Sequence, residues 1–108
     1  MNAGKLRHRL IIQKRGEDQG AYGAMVETWE QVAVIWAAIE PLQGREFIAA
    51  QSTQSETTGK IRIRYRSDVT TAMRGVFGEK IYNFLSIINQ DQRNRELIIY
   101  TSEGLNEG

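Results

Sequence analysis

Lys60, Arg62, Arg64 and Arg66 alternate with Ile61, Ile63 and Tyr65. Side chains of a strand point to opposite faces in turn, so the four cations share one face and the apolar three share the other. The apolar face must be the buried one. A row of like charges repels itself and needs water, carboxylates of this chain or of a neighbour, or a polyanion to neutralise it. Three readings follow: a solvated outer face of a sheet, a face salt-bridged to an adjacent subunit, or a face toward nucleic acid. Single-strand binding wants aromatic rings interleaved with the cations for base stacking. Here the aromatic of the run, Tyr65, points away, so nucleic acid ranks last.

Other residue types with chemical potential form no catalytic constellation. His8 is the single histidine and there is no cysteine, which excludes Ser-His-Asp and Cys-His arrangements, thiolate metal sites and disulfides. On the apolar side of a strand, His8 reads as a hydrogen-bonded core residue. Glu17, Asp18 and Asp91 read as solvated loop carboxylates, and Gly20 and Gly23 lack the lysine and helix that make a phosphate loop. Trp29 and Trp36 lie an odd number of residues apart. In a regular strand they point to opposite faces, one into the core and one as an interface anchor.

The elements that position these residues are mostly strands. Residues 5–14 alternate Leu6, His8, Leu10 and Ile12 against Lys5, Arg7, Arg9, Ile11 and Gln13. Residues 15–24 hold three glycines and two acids without periodicity and read as a long loop. Its candidate channel- or partner-contacting residues are Glu17, Asp18, Gln19, Gly20, Ala21, Tyr22 and Gly23.

The stretch 26–39 is rich in β-branched and aromatic residues and predicts a long strand, or two joined at a bend. From Val32 to Ile39 it is apolar on both faces, which requires cover from the core on one side and from a helix or another subunit on the other. Pro41 ends it. Residues 44–54 predict a helix with a narrow apolar stripe of Phe47, Ile48 and Ala50 ending at Gln54. Strands are expected at 60–66, 71–77, 80–88 and 95–101. Ser67 and Asp68 suit a turn, Gly78-Glu79 a tight hairpin, 89–94 a polar hairpin loop, and the last residues a frayed tail. Ile61, Ile63, Tyr65, Leu85 and Leu97 are the expected core. The sum is a mainly β protein, a small antiparallel barrel or sandwich of about six strands with one helix.

At 108 residues the chain suits a single domain, residues 1–108. Its net charge of +1 makes the basic row a local feature and argues against a dedicated nucleic-acid binder. No apolar run approaches a signal-peptide core or a membrane span, and an intracellular site of synthesis is compatible.

The ordered combination of these segments resembles a known family. GKLRHRLIIQ near the start, W-A-x-I-E-P-L-x-G-R-E at Trp36 to Glu46, I-R-Y-R at Ile63 to Arg66 within KIRIRYRSDVTTAMRG, and IYNFLSIINQDQRNRELIIY are similar to the head–tail joining proteins of tailed bacteriophages, also called stopper, closure or adaptor proteins. The resemblance implies a structural virion protein of a phage or prophage, not an enzyme, with no cofactor or metal. It implies a small barrel that self-associates into a ring, a dodecamer with a hexamer as the alternative, at the head–tail interface of the virion after assembly in the host cytoplasm. Its implied partners are a portal-side adaptor protein, a tail tube or tail terminator protein, and packaged DNA passing through the channel without sequence-specific binding; no membrane is involved. The ring would extend the DNA channel, help retain the genome and dock the tail. Lys60, Arg62, Arg64, Arg66, Trp29 and Trp36 are the candidate interface residues. The alternatives are a tail-completion protein of the same neck assembly and a small barrel that binds nucleic acid.

Overall fold

Period-two patterning with β-branched residues at the inward positions produces a closed wall of strands. The computed structural model describes residues 6–19, 25–53, 56–89 and 92–104. The elements are β1 (His8–Gln19), β2 (Met25–Pro41), α1 (Gly44–Thr53), β3 (Gly59–Arg64), β4 (Met73–Phe77), β5 (Lys80–Asn89) and β6 (Glu96–Gly104). The strands form a barrel in the order β1-β2-β3-β6-β5-β4, antiparallel throughout, and β1 closes it by pairing with both β2 and β4. Each strand of the wall thus has a neighbour on both sides over part of its length.

Leu10, Ile12, Ala37, Ile61, Ile63, Tyr82, Phe84, Leu97 and Ile99 fill the interior. Each large one contributes roughly 1.5–3 kcal/mol by leaving water. The expected burial of Ile61, Ile63 and Leu97 holds, and Tyr65 packs partly buried at the margin of this core. Gly75 is needed inside: a Cβ there would sit 2.9 Å from Leu10 Cδ1. Gly78, with φ of +61°, starts the β4–β5 hairpin in a conformation that costs glycine nothing.

Two β-bulges overturn expectations drawn from strict alternation. In β2, Ile12 faces Ala33 while Gln13 faces Gln31, so Val32 is the extra residue. In β5, Phe84 faces Thr101 while Ser86 faces Tyr100, so Leu85 is the extra residue. A bulge inserts one residue and resets which parity points inward. The core is therefore built from Tyr82 and Phe84 before the second bulge and Ile87 after it, and Leu85 is only partly buried instead of central.

The stretch expected as a loop at 15–24 is largely strand. Pairing continues from Arg15↔Trp29 to Gln19↔Met25, so Glu17, Asp18 and Gln19 are ladder residues, while Gly20, Ala21, Tyr22 and Gly23 lie outside the described residues. This part of the β1–β2 hairpin pairs with no other strand, since β4 leaves β1 at Lys14 and β3 joins β2 only at Ala37–Pro41. It projects from the barrel as a two-stranded ribbon, roughly 15 Å at ~3.4 Å per residue, and the molecule measures 49 × 28 × 26 Å. Residues 15–19 carry no apolar period, which is why alternation does not reveal this strand.

Helix α1 begins at Gly44, which has φ of +60°. Its expected apolar stripe is not a core stripe. Phe47 and Ile48 are exposed, and α1 reaches the barrel through Glu46, which meets Lys60, and Gln51, whose amide donates to the Thr57 carbonyl at 2.9 Å. Gln54 lies outside the described residues, as do Lys5, Asp91 and the chain beyond Gly104.

Candidate assembly surface

The barrel wall places the basic row outward, as Ile61 and Ile63 point in. Most of its charge is answered within the chain. Lys60 Nζ lies 2.8 Å from Glu46 Oε2 on α1. Arg62 Nη1 donates to Glu96 Oε1 at 2.6 Å, and Arg62 Nη2 lies 3.7 Å from Glu40. The Glu96 hydrogen bond raises the pKa of Arg62 further, against the opposing effect of burial. β3 stops at Arg64; Tyr65 N still donates to the Arg95 carbonyl at 3.1 Å. Arg66 then turns to Asp68, its Nε and Nη2 donating to the two carboxylate oxygens at 3.0 and 2.9 Å, which holds Asp68 below the usual carboxylate range. Arg64 alone in the row is exposed without a carboxylate partner among the described residues.

The tryptophans are the second component. The bulge at Val32 brings Trp29 and Trp36 to the same side of the β1–β2 ribbon, correcting the expectation of opposite faces. Trp36 faces Arg9 across the ladder, and the Arg9 guanidinium lies 4.8 Å from the ring centroid. Beyond the end of the β2–β3 pairing, Trp36 and Arg64 share the next rung on the outer face, and both line a cleft with Ile35, Tyr65 and Arg66. Trp29 is half-buried between Arg15, at 5.6 Å, and Arg74, at 3.9 Å from the ring centroid. Arg74 is itself aimed by Gln13, whose Oε1 accepts from Arg74 Nε at 2.8 Å. Neither ring is core. Trp29 secures the root of the projecting ribbon, and Trp36 is a ring open to solvent.

Sequence reasoning singled out Trp36 and Arg64 separately. It missed Arg9 and Arg74, because only the register shows that they reach tryptophans distant in the chain. It also missed the cleft of about 370 Å3 between α1 and the outer wall of β5 and β6, lined by Ala49, Ala50, Ser86, Ile88 and Tyr100 with Glu46 and Thr57. The apolar outer face of β2 is only partly covered: Ala38 is buried, while Val34 and Trp36 are exposed.

His8 packs its ring against Phe77, with centroids 4.8 Å apart. No cluster of three metal-ligating side chains occurs among the described residues, and no helix among them is long and apolar enough to cross a membrane. The arrangement is suited to holding other macromolecular surfaces by stacking, apolar contact and ion pairing.

A protein of Shigella flexneri 2a, solved in solution, is 27% identical and superposes with a TM-score of 0.80 over 99% of this chain and 100% of its own. A chain from the virion of a native gene transfer agent particle shares the fold at 15% identity and a TM-score of 0.60, over 93% of this chain and 96% of its own. No curated protein matches. The model of the phage head completion proteins matches residues 1–104, nearly the whole barrel and its ribbon, and on that match the chain belongs to the phage head completion protein family.

Proposed function

We propose that this protein is a structural component of the head–tail connector of a tailed phage or prophage, where copies assemble into a ring that extends the DNA channel, helps retain packaged DNA and docks the tail. The observation that carries the reading is the family match over residues 1–104, on a closed six-stranded barrel. Among side-chain surfaces able to support association, the outer face of β2 and the adjoining end of β3 offer one in Trp36, Val34 and Arg64. The fold shared with a gene transfer agent virion chain supports a place in a particle. The projecting ribbon is the element able to reach a channel or a neighbouring ring.

The test is a particle assembled without this protein. Heads should fill with DNA, fail to keep it and remain tail-less, and the purified protein added back should restore tail joining. Tailed, infectious particles formed in its absence would overturn the reading. One observation favours a second reading, a nucleic-acid-binding barrel: Trp36 stands beside Arg9 and Arg64, the stacking-plus-cation arrangement that single strands use. Binding to an oligonucleotide that weakens steeply with salt and needs Trp36 would mark it.

A further inference from the structure

Resting on the ring reading, we infer that the contact between copies is head-to-tail, with Trp36 of one copy entering the cleft between α1 and the β5–β6 wall of the next. The topology is the first argument. In the closed order β1-β2-β3-β6-β5-β4, β2 and β5 stand opposite each other, with two strands between them either way round. Besides Phe47 and Ile48 on α1, the large apolar side chains left in water belong to these opposite sides. Trp36, 51% exposed, and Val34 stand on β2; Ile88, 45% exposed, stands on β5 in the cleft.

The two surfaces also differ in shape. The β2 side presents a half-exposed indole, with the Arg9 guanidinium 4.8 Å from its centroid and Arg64 beside it. The β5 side presents a hollow of about 370 Å3 with Ala49 and Ala50 on one wall and Ile88 and Tyr100 on the other. A large half-exposed ring is complemented by an apolar hollow of similar scale. A contact between different patches on opposite sides of a molecule repeats from copy to copy and closes into a ring when the rotation allows.

Charge points the same way. Beside Trp36, Arg64 has no carboxylate partner among the described residues. At the cleft, Glu46 lines the wall, and the exposed Glu56 precedes the lining residue Thr57 and has no basic partner among the described residues. An arginine carried in beside the indole meets a carboxylate at the rim, which sets orientation. The buried tryptophan supplies the anchor, as aromatic residues do at interface centres.

The experiment uses the full chain with Trp36→p-benzoylphenylalanine, assembled into particles and irradiated, with linked peptides identified by mass spectrometry. The expected links join position 36 of one copy to residues 46–57 or 86–100 of another. Ile88→Arg, checked for an unchanged melting profile, should weaken these links about tenfold or more, and Glu56→Arg by a smaller factor. Connectors with several copies in which position 36 links to another copy's β2, to DNA or to a different protein would overturn the pairing and leave the ring reading standing. Connectors with a single copy would overturn both.

Discussion

Trp29 and Trp36 project from the same side of one ribbon because Val32 is set aside as a bulge between them. Their surroundings then separate their roles. Trp29 is flanked by Arg15 and Arg74 and ties the ribbon root to β4; Trp36 carries Arg9 on its ring and remains half exposed.

Arg74→Ala should lower stability by ~1–2 kcal/mol, the range for a cation on a partly desolvated ring. Chemical denaturation of Arg74→Ala, Trp29→Leu and the double variant should show coupling between the two positions. A coupling of zero would mean that the arginine does not secure the ribbon root.

Arg62 and Arg64 belong to one row but should respond differently. Arg62→Glu places a carboxylate against Glu96 and Glu40, and loss of a charge-assisted hydrogen bond costs ~1.5–3 kcal/mol before that repulsion is added. Arg64→Glu, with no internal partner, should change stability by less than ~0.5 kcal/mol while weakening tail joining. Thermal melts and a head–tail joining assay on each variant separate the two. A destabilised Arg64→Glu would mean that its charge is answered within the chain after all.

Phe84 and Leu85 test the second bulge. Phe84→Ala should cost ~3–5 kcal/mol, as for a large aromatic removed from a tight core, and Leu85→Ala should cost less than ~2 kcal/mol. The reverse order in denaturant midpoints would restore regular alternation through β5.

The Arg66–Asp68 pair gives a pH dependence with a defined sign. The guanidinium holds the Asp68 pKa below its unfolded value, so the pair adds stability above the unfolded pKa of ~3.9 and loses it as pH falls through the folded value. The pair is exposed, so the contribution stays under ~1 kcal/mol. Asp68→Asn should melt slightly below the parent at neutral pH, and the difference should vanish near pH ~2. A difference that persists there would assign the effect to something other than charge.

The sequence by itself determined the mainly antiparallel strand set, the helix at 44–53, the inward face of β3 and a side-chain inventory with one histidine and no cysteine. Those follow from local rules, the two-residue period of Ile61 and Ile63 and the side-chain inventory, which act over a few neighbouring residues. The tertiary structure decided what depends on register. A bulge is one residue long and leaves no mark in composition, yet Val32 moves Trp29 across the sheet and Leu85 gives its core place to Phe84. Pairing between distant strands likewise sends Arg62 to Glu96 and Lys60 to Glu46, leaves Arg64 exposed, and stands Arg9 over Trp36. Charges and rings are visible in a sequence; which of them the fold spends on each other, and which it leaves for a partner, is set only when the barrel closes.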